Sequence, residues 1–294
     1  SWNMFTMTRF SRRHFLAGSA VIGLMPTTGL GAWVDDDGSV ELIAQPVSQS
    51  LVGPDGLESN LWGYNGSVPG PVLRMRQGEV LRVRFHNELS VPTSVHWHGI
   101  RGDNAMDGVA GLTQEPIPPG ESFEYLVRAP DAGTYWYHAH TNSWEQVARG
   151  LYGTLIVDEQ APIFAPETDI VLMLDDWRVD NQGRFDEASL GNMMDWSHAG
   201  RLGNVLATNG LARPHVAVPS NTWLRLRLIN ACNSRILAID PSRIRARVIA
   251  LDGQPINAET DACTPVPFAA PTRIDCAARF QNAALHHVPE LCST

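Results

Sequence analysis

Two short segments, His96-Trp97-His98 and His138-Ala139-His140, constrain this chain more than any other feature. Successive side chains of a β-strand point to opposite faces of its sheet, so alternate residues share one face. Each segment, read as a strand, therefore aims two imidazoles at one side. Trp97 falls on the opposite face of the first segment, and Tyr135, Tyr137 and Ala139 fall opposite the histidines of the second. If the two strands converge, four neutral imidazoles meet in one place, a donor set that suits copper or zinc by ligand type. The spacing alone does not choose between those metals.

The surrounding sequence extends the strand reading to the whole chain. Glu79 to His86 alternates, with Leu81, Val83 and Phe85 on one face and Arg82, Arg84 and His86 on the other. That is the pattern of a half-exposed antiparallel strand. Turn signals are dense: Asn65-Gly66, Pro69-Gly70-Pro71, Pro118-Pro119-Gly120 and Asp131-Ala132-Gly133. Short strands at such spacing predict a sandwich or Greek-key barrel. After Val157-Asp158-Glu159, prolines 162 and 166 punctuate a linker and the strand pattern restarts at Asp169. Ile170 to Leu174, Trp223 to Ile229 and Val248 to Leu251 are predicted strands, the last closed by the turn Asp252-Gly253. In the Trp223 strand, Leu224, Leu226 and Leu228 alternate with Arg225 and Arg227.

At 294 residues, 44% of them hydrophobic, the chain can bury two full cores. Its net charge of −9 argues against nucleic acid or an anionic lipid surface as a partner. Residues 1–32 read as an export signal: Ser11-Arg12-Arg13-His14-Phe15-Leu16 leads into an apolar run that ends at Pro26, too short to span a bilayer. The paired arginines resemble a twin-arginine signal, with a cut near Ala32, and so imply the twin-arginine export machinery as a partner and a periplasmic location.

The motifs Ser94-Val95-His96-Trp97-His98-Gly99, Met106-Asp107-Gly108-Val109 with Thr113-Gln114, Gly133 to His140, and Gly150-Leu151-Tyr152-Gly153 closely resemble the first domain of bacterial multicopper oxidases. The likeness is strong over residues about 40 to 160. It continues more weakly through Arg225 to Ala231 and Ala250-Leu251-Asp252-Gly253. It implies an all-β chain of two consecutive cupredoxin-like Greek-key β-sandwich domains, at 33–160 and 165–280, followed by an irregular tail at 281–294. It also implies roles: His96 matches a ligand of the type 2 copper, and His98, His138 and His140 match ligands of the type 3 pair, together part of a trinuclear copper site that reduces dioxygen to water. Asp107 matches the family's acid beside the type 2 copper, a catalytic candidate for relaying protons or orienting a ligand; otherwise it is an ordinary Asp-Gly turn. The small reducing partner implied is a phenol, cuprous ion or another metal ion.

A complete member of that family carries four further trinuclear histidines and a type 1 copper with a cysteine ligand, all in a third domain. Here His198 and His215 are isolated, His286-His287 are adjacent rather than alternating, and His14 lies in the signal. Cys232, Cys263, Cys276 and Cys292 have no histidine beside them, which removes a type 1 site and leaves three disulfide pairings, or free thiols, open. The expectation is a truncated or frame-shifted product whose copper ligands are half a site. Ala139 stands where a two-domain copper nitrite reductase needs a cysteine, and residues 160 to 294 lack the His-Cys-His motif of a two-domain laccase. The non-enzymatic alternative is an inactive copper-binding or scaffold cupredoxin protein of the cell envelope.

Overall fold

The structure, a computed structural model, describes residues 38–198, 200–212, 214, 216–257, 266–280, 284–285 and 292–293. The export segment 1–32, His14, His215, Cys263, His286 and His287 lie outside the described residues. Strands dominate. The first eight are β1 (Val40–Ser50), β2 (Glu58–Tyr64), β3 (Leu73–Arg76), β4 (Val80–Asn87), β5 (Val95–His98), β6 (Ser122–Arg128), β7 (Gly133–Ala139) and β8 (Tyr152–Asp158), with the short helix α1 (Ser143–Gln146) before β8. They form two four-stranded sheets, ordered β2-β1-β4-β6 and β3-β8-β7-β5.

The alternation read from the sequence builds the space between those sheets. On β4, Leu81, Val83 and Phe85 are buried, and on β5 and β7 so are Val95, Trp97, Tyr135, Tyr137 and Ala139. Strand β4 is antiparallel to β6, as its pattern suggests, but parallel to β1 on its other edge. Such a pairing needs a crossover connection, the feature that turns a meander into a Greek key.

A second unit contains β9 (Asp169–Trp177), helix α2 (Met193–Ser197), β10 (Val205–Thr208), β11 (Val216–Ala217), β12 (Trp223–Asn230), β13 (Leu237–Ile239), β14 (Arg247–Leu251), β15 (Gln254–Pro255), β16 (Val266–Phe268), β17 (Arg273–Arg279), β18 (Ala284–Leu285) and β19 (Cys292–Ser293). A six-stranded sheet, β10-β9-β12-β17-β14-β15, faces the smaller groups β16-β13-β19 and β11-β18. Its core gathers Leu172, Leu174, Leu224, Leu226, Leu228, Ile274 and Phe268. The tail expected to be irregular supplies two short strands, β18 against β11 and β19 against β13. These pairings are with residues far away in sequence, which no local alternation announces.

The two units share an interface that is both apolar and ionic. Trp136, Tyr152 and Val68 of the first pack with Met173, Trp177 and Phe185 of the second. Beside this cluster, Arg225 and Arg227 are buried, not solvent-facing as a leucine–arginine alternation on a half-exposed strand would suggest. Each donates two hydrogen bonds to Asp169. Arg227 also reaches Thr134 of β7, whose hydroxyl donates to Asp275 at 2.6 Å. A buried guanidinium is tolerable only when its donors and charge are satisfied in this way.

Candidate metal centre

Strands β5 and β7 pair antiparallel with His96 directly opposite His138 and His98 opposite Trp136. Because Val95 and Trp97 enter the core on one face of β5, His96 and His98 must leave on the other; the same pleat sets His138 on β7. His140 follows just beyond β7, its backbone N–H donating to Ser94 O at 3.1 Å, which carries the strand direction one residue further. The structure thus brings all four sequence-derived histidines together. Ring centroids lie 5.2 to 5.6 Å apart between His96 and each of the other three, and 6.0 Å apart for His138 and His140. Ligand nitrogens of His96, His98 and His138 all fall within 4.8 Å of one another.

Two glycines make the arrangement possible. Gly99 ends β5 at φ +86, and a Cβ there would meet the Arg273 guanidinium at 2.6 Å. Gly108, at φ +75, lies against β5 so closely that a Cβ would sit 1.7 Å from Val95 O. This approach carries Asp107 to His96: its carbonyl lies 2.8 Å from His96 Nδ1 and its carboxylate 3.3 Å from the same nitrogen. The Asp-Gly turn and the acid beside a histidine are therefore one structure.

Hydrogen bonding fixes which nitrogens are available. A carbonyl oxygen can only accept, so Nδ1 of His96 carries its proton toward Asp107 O, and Nδ1 of His138 carries its proton toward Ala139 O at 2.9 Å. In the neutral rings the lone pair is then on Nε2, facing the cluster. Burial is the largest influence on these rings and lowers their pKa values. His98 is driven down to about 3 by burial and then by the nearby Arg273 charge, and His138 to about 3 by burial, against the pull of its bond to Ala139. His96 is lowered too, again chiefly by burial. All three are uncharged at neutral pH, the form that binds metals. Trp136 stacks beside them, 4.3 Å from the His138 ring and 5.3 Å from that of His98.

The four histidines form one wall of a cavity of about 540 Å³. The rest of its lining includes Ser143, Trp144 and Val147 of the first unit and Trp196, Arg201, Cys232 and Asn233 of the second. His198 is exposed and bonded to Ser197 Oγ, and His86 pairs with Ser122 Oγ; neither joins the cluster. Cys232 and Cys276 are free buried thiols, so among the described residues the structure provides no bridge for them.

Sequence reasoning missed one group. Asp175, Asp176 and Cys232 place ligand atoms within 4.8 Å of one another, all three buried, and Cys232 also lines the cavity. Asp175 accepts from the Tyr152 hydroxyl at 2.6 Å, and Asp176 accepts from Arg235 Nε at 2.9 Å. Burial, then the Asp176 charge, raise the Asp175 pKa to about 8. Adjacent acids on an otherwise apolar strand, Leu174-Asp175-Asp176-Trp177, were the available signal. Alternation would send them to opposite faces, one of them into a core, which demands a partner.

Residues 47–162 match the family model described as multicopper oxidase. Copper resistance protein A of Escherichia coli is 36% identical over 189 residues, covering 60% of this chain and 30% of that protein. Laccase-1 of Cryptococcus neoformans var. grubii is 30% identical over 239 residues, 73% of this chain and 38% of the laccase. Among solved structures, a multi-copper oxidase from Pseudomonas thermotolerans superposes with a TM-score of 0.73 at 38% identity, over 83% of this chain and 58% of that one. The chain thus spans about a third of the length of the curated relatives it matches.

Proposed function

This chain belongs to the multicopper oxidase family, and from that membership we propose that His96, His98, His138 and His140 are copper ligands forming one wall of a dioxygen-reducing centre. The observation that carries this reading is the convergence of four imidazoles, one buried and three partly buried, on a single cavity. The donor set fits the metal: imidazole nitrogen suits copper, and the bonds to Asp107 O and Ala139 O leave the Nε2 lone pairs of His96 and His138 on the cluster side, that of His138 lying 3.4 Å from His98 Nδ1. Copper bound there supplies one-electron transfers that together reduce dioxygen to water.

The chain's own residues do the rest. Asp107 holds the His96 ring by carbonyl and carboxylate at once, so it acts as a positioning residue for that ligand. Its side chain is about a third exposed, which places a carboxylate between solvent and the buried imidazoles, where the reaction's protons must enter. Trp136 closes the cluster on the apolar side and keeps water from the backs of His98 and His138. The reducing substrate is a phenol or a metal ion such as cuprous ion. A relative named as a laccase supports the first class and one named for copper resistance the second.

Four imidazoles on one wall leave the opposite side of the cavity without histidines among the described residues, and further ligands there would be needed to complete the centre. The proposed location is the periplasm, reached through the export segment at 1–32. Among the described residues no helix is long and apolar enough to cross a membrane.

Copper loading of the purified chain tests the reading. Metal analysis with electron-spin and optical spectra is expected to find fewer than three coppers per chain, bound through imidazole nitrogen, with no intense blue band. His138→Ala and His96→Ala should each remove most of the bound copper. Equal copper retention by the parent and both variants would overturn the assignment.

A further inference from the structure

Tyr152 is tied to the histidine cluster by strand register. It stands opposite His138 across the β7–β8 ladder, and directly paired residues of neighbouring strands share one face of the sheet. It belongs to the same packed cluster as Trp136, whose ring lies 4.3 Å from that of His138. Its hydroxyl donates to Asp175 Oδ2 at 2.6 Å. Both side chains are buried by residues of this chain, at 0% and 5% exposure.

The chain has five tyrosines and all of them are buried, so their hydroxyls can be compared on equal terms. Tyr64 Oη has no partner. Tyr135 donates to the Asp131 carbonyl at 3.2 Å, and Tyr137 to the Pro71 carbonyl at 2.7 Å. Tyr125 Oη accepts from the Val95 N–H at 3.1 Å, and its other neighbour is the Gln114 side chain. Carbonyls and amides are too weakly basic to take a proton. Tyr152 alone presents its O–H to a carboxylate, a group that can.

That difference decides how each tyrosine responds to losing an electron. Removing one electron from a phenol turns its O–H into a strong acid, so the loss is easy only where a base stands ready. Before oxidation the proton is held firmly, since burial and then the Asp175 charge push the Tyr152 pKa well above its ordinary value. Asp175 is faced by Asp176, Cys232 and Arg201, with Arg235 bonded to Asp176, and burial and the Asp176 charge favour a proton on it. We propose that Tyr152 is a redox-active residue, which yields one electron to an oxidising equivalent at the histidine-held centre while its proton passes to Asp175. The Tyr152 O–H bond breaks, an O–H bond forms on Asp175 Oδ2, and a neutral tyrosyl radical is left beside a neutral carboxyl. An electron from the reducing substrate reverses both transfers. The pair thus supplies an electron when substrate runs short and spares the ligand imidazoles from oxidation. Its oxidant rests on the copper reading, but the pair itself needs no copper.

Metal-free protein tests the pair directly, so its outcome is read separately from that of copper loading. At about pH 9, where Asp175 with its pKa of about 8 is mostly ionised, flash-generated tris(bipyridine)ruthenium(III) serves as the one-electron oxidant. Transient absorption and freeze-quench electron-spin spectra should show a tyrosyl radical, distinct from the signal of the exposed Trp144, Trp196 and Trp223. Tyr152→Phe, which keeps the buried ring, should lower the tyrosyl yield about fivefold or more. Tyr64→Phe, which removes a hydroxyl without a partner, should leave it unchanged. Asp175→Asn should lower it about threefold or more, and the parent at about pH 6 should fall to the level of that variant. Protein shown by metal analysis to hold copper should form the same radical with hydrogen peroxide, and metal-free protein treated alike should not. No tyrosyl radical in the parent, a yield unaltered by Tyr152→Phe or by Asp175→Asn, or radical formation with peroxide that is indifferent to bound copper would overturn the proposal.

Discussion

Asparagine in place of Asp169 removes the charge on which the interface between the two units is centred. The side chain that carries it is 1% exposed. It accepts hydrogen bonds from Arg225 at 3.0 and 3.2 Å, from Arg227 at 2.7 and 3.0 Å, and from Arg74 at 2.9 Å. Burial pushes its pKa up, and the bonds and charges of Arg227 and then Arg225 more than reverse this, leaving it at about 2 against an ordinary 3.8. A depression of that size corresponds to about 2 kcal/mol of stability at neutral pH. The sign follows from the direction: the contribution is complete above pH about 4 and is lost as pH falls through about 2.

Asparagine costs more than protonation, because its NH2 group faces guanidinium donors and Arg227, with no side-chain exposure, is left with Asp275 at 3.5 Å as its ion-pair partner. Breaking one side of a buried ion pair typically costs about 3–5 kcal/mol. In a chain of this size that lowers the melting temperature by roughly 6–20 °C. Urea denaturation at pH 7, followed by far-UV circular dichroism, measures the loss. Asp180→Asn, which removes one partner of an exposed Arg184 pair, serves as the control and should leave the midpoint unchanged. A loss under about 1 kcal/mol for Asp169→Asn with an unchanged m-value would refute the reasoning, since it would mean that the two arginines find other acceptors or water.

Thr134→Val removes the hydroxyl that accepts from Arg227 and donates to Asp275, and is expected to cost about 1–3 kcal/mol in the same assay while copper retention stays at the parent level. Gly108→Ala forces a Cβ toward Val95 O at a positive φ; the expected result is a lower melting temperature together with weaker copper retention, and retention equal to the parent would show that the loop does not position His96. Asp175→Asn concerns a carboxyl whose pKa is raised to about 8, so its cost to the folded state is absent below pH about 4 and grows as pH rises toward 8. The variant should gain stability relative to the parent between pH 5 and pH 8 in urea titrations, and a gap that is constant or that moves the other way would contradict the assignment.

Period-two patterning made much of the fold legible. On β4 and β5 the alternation named the buried face correctly, because in a strand the face of a side chain depends only on whether its position is odd or even, whereas on β7 both faces are buried. Asp107 was legible as a companion of the histidines because its turn is local, although only the fold shows Gly108 pressed onto β5. Arg225 and Arg227 also alternate as expected, yet their face is buried, since what covers a face is a property of the neighbouring unit and not of the strand.

Four imidazoles, their pairing within each H-x-H segment and the strand that aims them were determined by the sequence alone, through local geometry. Tertiary structure decided what local geometry cannot reach. It set His96 opposite His138 across a pairing of distant segments. It also buried Arg201 in the wall of the same cavity, and brought Asp175, Asp176 and Cys232 within 4.8 Å of one another. The physical reason is that register, burial and charge balance are sums over residues remote in the chain, and a one-dimensional pattern carries only the terms between near neighbours.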